Sequence, residues 1–142
     1  MRLWLEQAFI ELERGIAEIP GPQSSERIDA YLRAAGLGRG DETPWCAAFV
    51  CWCLEQAGEA STRRGNAKSY LAWGWPTAPR LGAVSVLWRG APTGSQGHVG
   101  FYLDGDPELV YLLGGNQRDR VSIGAFPRSR VIGHRWPARE GD

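Results

Sequence analysis

Asp41-Glu42-Thr43-Pro44-Trp45-Cys46-Ala47-Ala48-Phe49-Val50 reads as the start of a helix with a cysteine in its first turn. Thr43 suits the N-cap, because its hydroxyl accepts from the free N–H groups of the first turn, and Pro44 suits the first helical position, where no N–H is needed. Cys46 then takes the third helical position, where a capping box would place Glu or Gln. The apolar face runs Cys46, Phe49, Val50, Cys53 and Ala57, and Gly58 is the stop. Unpaired N–H groups and the helix dipole put partial positive charge beside the sulfur and favour the nucleophilic thiolate. The competing reading is a buried cysteine serving as a small hydrophobe.

Upstream of this helix, Leu5, Ala8, Phe9, Leu12 and Ile16 recur at helical spacing, and that helix ends near Gly15. Ile19-Pro20-Gly21-Pro22 breaks the pattern. Ser24 or Ser25 then caps a second helix with Ile28, Tyr31, Leu32 and Ala35 on one face, ended by Gly36 and Gly38. Asn66–Trp73 reads as a short helix and Trp75–Pro79 as irregular. From Gly82 the period changes to two, with strands expected at 83–88, 98–103, 109–113, 121–123 and 131–136. Glycine-rich and Asp-Gly turns separate them, with Phe126-Pro127 read as a further turn. Helices followed by a strand meander imply an α+β fold, with an antiparallel sheet packed on the helices.

A chain of 142 residues, 43% of them hydrophobic, fits one domain with one core. Sixteen Lys and Arg balance sixteen Asp and Glu, and the basic residues look scattered, so nothing in the charge argues for nucleic acid or an anionic membrane as partner. Glu6 arrives before any apolar run of signal-peptide length, and no run approaches a membrane span. Cys46 and Cys53 share a face but lie roughly 10.5 Å apart along a helix axis, beyond the ~7 Å limit for a disulfide. Cys51 and Cys53 point about 200° apart. A redox pair is therefore disfavoured, and no Cys/His spacing suits zinc.

A cysteine nucleophile needs a base, and the chain has two histidines. His98 follows Gly94-Ser95-Gln96-Gly97 and opens a strand on which His98, Gly100 and Tyr102 face one way and Val99, Phe101 and Leu103 the other. Gly100 leaves space for an approaching helix end or a substrate. His134, between Gly133 and Arg135, reads as structural. A third group should hold the imidazole tautomer, and Asn116 in Gly114-Gly115-Asn116-Gln117 is the choice, with Asp104 and Gln117 as substitutes. Trp45, Trp73 and Trp75, together with Gln117, are candidates to line a substrate cleft, while Trp4, Trp52, Trp88 and Trp136 read as core.

Thr43–Val50, Gly97-His98-Val99-Gly100-Phe101-Tyr102 and Gly114-Gly115-Asn116-Gln117 together resemble the three motifs of CHAP-type proteins. These are cysteine- and histidine-dependent amidohydrolases/peptidases of the papain-like group, and the likeness is greatest to a small bacterial and phage subgroup with a Pro-Trp-Cys-Ala-Ala-Phe-Val signature. It extends over about residues 15–137; one departure is Gly82-Ala83, where relatives carry Gly-Asp. The resemblance implies a papain-like fold, with Cys46 as nucleophile, His98 as base and Asn116 as its orienting residue. It also implies cleavage of peptide or N-acetylmuramoyl-peptide amide bonds in peptidoglycan, without metal or cofactor. The expected protein is a monomer, made in the cytoplasm and acting at the wall or periplasm after release or injection, as a phage endolysin or an antibacterial effector that an immunity protein could restrain. The alternative is a non-catalytic wall-binding or phage-structural module that keeps the fold.

Overall fold

A computed structural model describes residues 2–19, 25–37 and 44–138. Three helices come first: α1 (Leu3–Glu13), α2 (Glu26–Ala34) and α3 (Cys46–Gln56). Ser25 caps α2 by accepting from the Ile28 N–H at 3.4 Å. The expected short helix is a 3-10 helix, Ala67–Ala72. The strands are β1 (Trp75–Pro76), β2 (Val84–Trp88), β3 (Gly97–Gly105), β4 (Leu109–Gly114), β5 (Ser122–Pro127) and β6 (Val131–Trp136).

All strand pairs are antiparallel, in the order β1-β6-β2-β3-β4-β5. The chain meanders from β2 to β5, but β6 returns across the sheet to pair with β2 instead of extending the meander. Two further expectations change here. Trp75-Pro76 is a short edge strand on β6, and Phe126-Pro127 is the end of β5, paired with Val110 and Leu109, not a turn. Both prolines sit at strand ends, where the missing N–H costs no interior ladder bond.

The start of α3 also differs. The helix begins at Cys46 with Trp45 at the N-cap, so Pro44 precedes the helix and Cys46 is its first residue, not its third. Thr43 lies outside the described residues. Nor is α3 one-sided: Cys46 through Cys51, Cys53 and Leu54 are all buried. It is wrapped, because α1 and α2 cover one side and β3 and β4 the other. A helix enclosed in this way is apolar all round.

Tyr31 joins the helices. It is fully buried, packs on Trp45, Phe49 and Trp52, and donates its hydroxyl to Glu11 at 2.6 Å. Glu11 is fully buried too, and the Arg27 guanidinium compensates its charge at 2.6 Å. Removing Arg27 would leave the buried carboxylate with the Tyr31 hydroxyl and Arg14 at 3.8 Å. On the sheet side, Phe49 meets Phe101 edge to face. Trp4 donates its indole N–H to the Gly82 carbonyl and packs against Trp136, tying α1 to the turn before β2.

Candidate active site

The cysteine helix and the loop after β4 meet at Gly115. A Cβ there would stand 2.6 Å from the Phe49 Cβ and 2.7 Å from the Trp45 ring, so only glycine permits this approach. The contact brings the start of α3 to the β4–β5 loop. Helix packing on β3 sets the second relation, between Cys46 and the strand that begins with the histidine motif.

His98 is buried near the start of β3, opposite Leu87 of β2. Its ring stacks on Phe126 with centroids 4.9 Å apart, and Nε2 lies 2.9 Å from Gln117 Oε1. The Gln117 amide nitrogen donates to two carbonyls, Ser122 at 2.8 Å and Leu112 at 3.2 Å. A carbonyl only accepts, so these bonds fix which end of the amide is nitrogen and leave Oε1 to face the imidazole. Oε1 in turn only accepts, so Nε2 of neutral His98 carries the proton and Nδ1 holds the free lone pair. Nδ1 is thus the ring atom able to accept a proton.

Three glycines make room for the amide. A Cβ at Gly114 would lie 2.5 Å from Gln117 Oε1, one at Gly124 3.1 Å from Nε2, and one at Gly100 3.5 Å from Oε1. The space above Gly100 therefore receives β4 and the Gln117 amide, not a helix end. Asn116, the expected orienting residue, has its backbone in the left-handed region at φ 57° and lines the cleft outside His98, but it does not bond the imidazole. The turn aims the next residue inward instead. Asp104 is also displaced from the site; its carboxylate accepts from the Gly105 N–H at an exposed bend.

Cys46 is buried, 3% exposed as a residue. Burial pushes the thiol pKa up, while the backbone N–H groups of Val99, Ala47 and Cys46 itself, with the charge of Arg89, pull it down less strongly. The expected helix-terminus thiolate is thus overruled by desolvation. Val99 is the residue after His98, so the sulfur sits beside the beginning of β3, although no hydrogen bond joins it to His98. Burial likewise lowers the His98 pKa, and Arg89 adds to the effect against the supporting Gln117 bond. The resting pair is a thiol and a neutral imidazole.

Other candidates fall elsewhere. Trp45 is buried, stacked on Tyr31, and donates its indole N–H to Glu18 at 2.7 Å, so it belongs to the core and not to a substrate wall. Trp73 packs edge-on against Tyr70, donates to the Ala60 carbonyl and is absent from the cleft lining. His134 accepts or donates at Ser85 Oγ, 2.8 Å away, and packs on Tyr102 within the sheet. Cys51 contacts the Tyr70 hydroxyl at 3.0 Å, and Cys53 is fully buried.

A cleft of about 900 Å³ opens beside His98, between the end of β2, the β4–β5 loop and β5. His98, Gln117, Asn116 and Phe126 line it, with arginines from three segments that no sequence motif had marked. Their separation along the chain made them look scattered. Among known proteins, no curated protein matches the chain. The model of the CHAP domain matches residues 38–116, more than half of the chain, a span that holds Cys46, His98 and Gly114-Gly115-Asn116. CHAP domains are in general peptidoglycan hydrolases, and the α+β sheet-and-helix architecture agrees with their papain-like fold. The chain belongs to the CHAP domain family.

Proposed function

We propose that this protein hydrolyses amide bonds of peptidoglycan, with Cys46 as nucleophile, His98 as base, and Gln117 in place of Asn116 as the residue that holds the base. The observation that carries this reading is the Gln117 amide fixed by two backbone carbonyls, which presents Nδ1 of His98 as an acceptor. Beside a buried cysteine on the facing helix, that acceptor is placed as a base would be.

In the reaction, the Cys46 thiol gives its proton to His98 Nδ1 as sulfur attacks the amide carbonyl. The imidazolium so formed keeps donating from Nε2 to Gln117. The oxyanion takes N–H groups at the start of α3, where no residue of the first turn has an intrahelical acceptor. Nδ1–H then protonates the leaving amine, and a thioester remains on Cys46. Water attacks it with Nδ1 as base, releasing a carboxylate and restoring the thiol. Separated thiol–imidazole pairs commonly close only once substrate is bound.

The protein acts as a monomer built on one domain; a single core shared by α1, α2 and the sheet among the described residues supports the one-domain reading. It works as a phage endolysin or an antibacterial effector, reaching the wall after release or injection; an effector would be accompanied by an immunity protein. The bond is either a peptide linkage in the stem or cross-link, or the N-acetylmuramoyl-L-alanine amide. The second reading, a wall-binding module without turnover, draws on the buried thiol and its lack of a bond to His98. Mass spectrometry of soluble fragments from purified peptidoglycan separates the two. Fragments released by the wild type but not by Cys46→Ala support the hydrolase, and their masses identify the bond. A folded, reduced wild type that releases none from several wall chemotypes leaves the binding module.

A further inference from the structure

The chain carries no net charge, yet the cleft beside His98 does not share that balance. Four arginines line it: Arg89 just after β2, Arg118 and Arg120 in the β4–β5 loop, and Arg130 just before β6. Among the described residues, no Asp or Glu lines it. Among the described residues, the arginines in salt bridges are Arg14, Arg27 and Arg63, so none of the four pairs with a described carboxylate. Asp119, between two of them in sequence, does not line the cleft.

The four arrive from three separate segments, so tertiary structure assembles the charge. Arg130 is held with its guanidinium 5.5 Å from the Trp88 ring centroid. Arg118 has its backbone in the left-handed region at φ 56°, an unusual state for a long side chain. Uncompensated guanidinium groups in a concave wall repel one another and attract anions, and their fork geometry suits carboxylates. Together they surround a site whose reactive imidazole Gln117 already holds.

Resting on the peptidoglycan reading above, we propose that this cleft selects an anionic stem peptide, one with free α-carboxylates on its acidic residues, against the same peptide with those groups amidated. Arg118, Arg120 and Arg130 bind the carboxylates, and the scissile amide lies toward His98. The cleft sets specificity through binding, so discrimination falls on KM and leaves kcat nearly unchanged.

The test compares two synthetic stem peptides, identical except for free carboxylates or carboxamides, in binding and in turnover. Binding is read by calorimetry and by NMR shifts of cleft residues in the Cys46→Ala protein, so it does not depend on hydrolysis. The free-acid peptide should bind about tenfold more tightly, as expected for two or more partly screened ion pairs. That preference should shrink with added salt and vanish in Arg118→Gln/Arg130→Gln, whose thermal melting should match that of its parent. Turnover by the otherwise unmodified enzyme should show the same preference in KM. Binding preference without turnover would keep the inference and refute the hydrolase. Equal binding of the two peptides, stronger binding of the amidated one, or an equal loss for both in the arginine variant would overturn the inference.

Discussion

Replacing Gln117 by Leu tests the core of the site. Leucine has similar volume and fits the space above Gly100, Gly114 and Gly124, so no large cavity adds to the effect. What disappears is the acceptor for the buried His98 Nε2–H at 2.9 Å and the donor to Leu112 and Ser122. An unsatisfied buried donor costs about 1–3 kcal/mol, so unfolding should become easier by about 2 kcal/mol. The imidazole is then free to rotate and to carry its proton on Nδ1, which removes the base. Hydrolysis should fall at least tenfold in kcat/KM, equivalent to about 1.4 kcal/mol of transition-state stabilisation. Asn116→Ala removes no bond to His98 and should change kcat/KM by no more than about threefold. Release of dye from labelled peptidoglycan gives the rates, and long-range proton–nitrogen NMR of the two histidines gives the tautomer. A wild-type His98 protonated on Nδ1 would refute the reasoning, as would full activity in Gln117→Leu with a collapse in Asn116→Ala.

Other consequences concern packing and titration. Gly115→Ala would force a Cβ to within 2.6 Å of Phe49 and should lower stability by about 1–3 kcal/mol in urea unfolding; an unchanged midpoint would mean that α3 and the β4–β5 loop do not meet as described. Burial holds the pKa of both His98 and His134 below 6.5 in the folded chain. The unfolded chain therefore binds more protons in the window below that value, and stability should be full above it and fall as pH drops toward about 5. Equal or greater stability at the lower pH would contradict the buried neutral imidazoles. Cys46 and Cys53 are buried with raised thiol pKa values, so both should alkylate slowly near neutral pH in the folded protein and rapidly in urea. Fast labelling of Cys46 in the native state would show an accessible thiolate and overturn the thiol–imidazole resting pair.

Much of this protein was legible along the chain because local physics writes local patterns. The change from helical to alternating spacing near Gly82 marked the α+β order, and four of the five longer strands lie where that alternation was seen, within two residues, while β5 runs on through the expected Phe126-Pro127 turn. Cys46 and His98 stood out because a thiol and an imidazole carry recognisable chemistry, in motifs that survive in one dimension. The choice between Asn116 and Gln117 did not, since neighbours in a turn differ only in where the backbone aims them. Left-handed Asn116 turns the next side chain inward, over three glycines from β3, β4 and β5 that no stretch of sequence shows together. The same holds for Trp45, whose place depends on Tyr31 of another helix, and for the thiol's protonation, where desolvation by distant packing outweighs the helix terminus. Sequence by itself determined the order of helices and strands and the two candidate reactive groups, through periodicity and side-chain chemistry. Only the tertiary structure decided the partner of the His98 imidazole, the charge state of the Cys46 thiol and the arginine wall of the cleft, because each is a sum over atoms that the chain brings together only on folding.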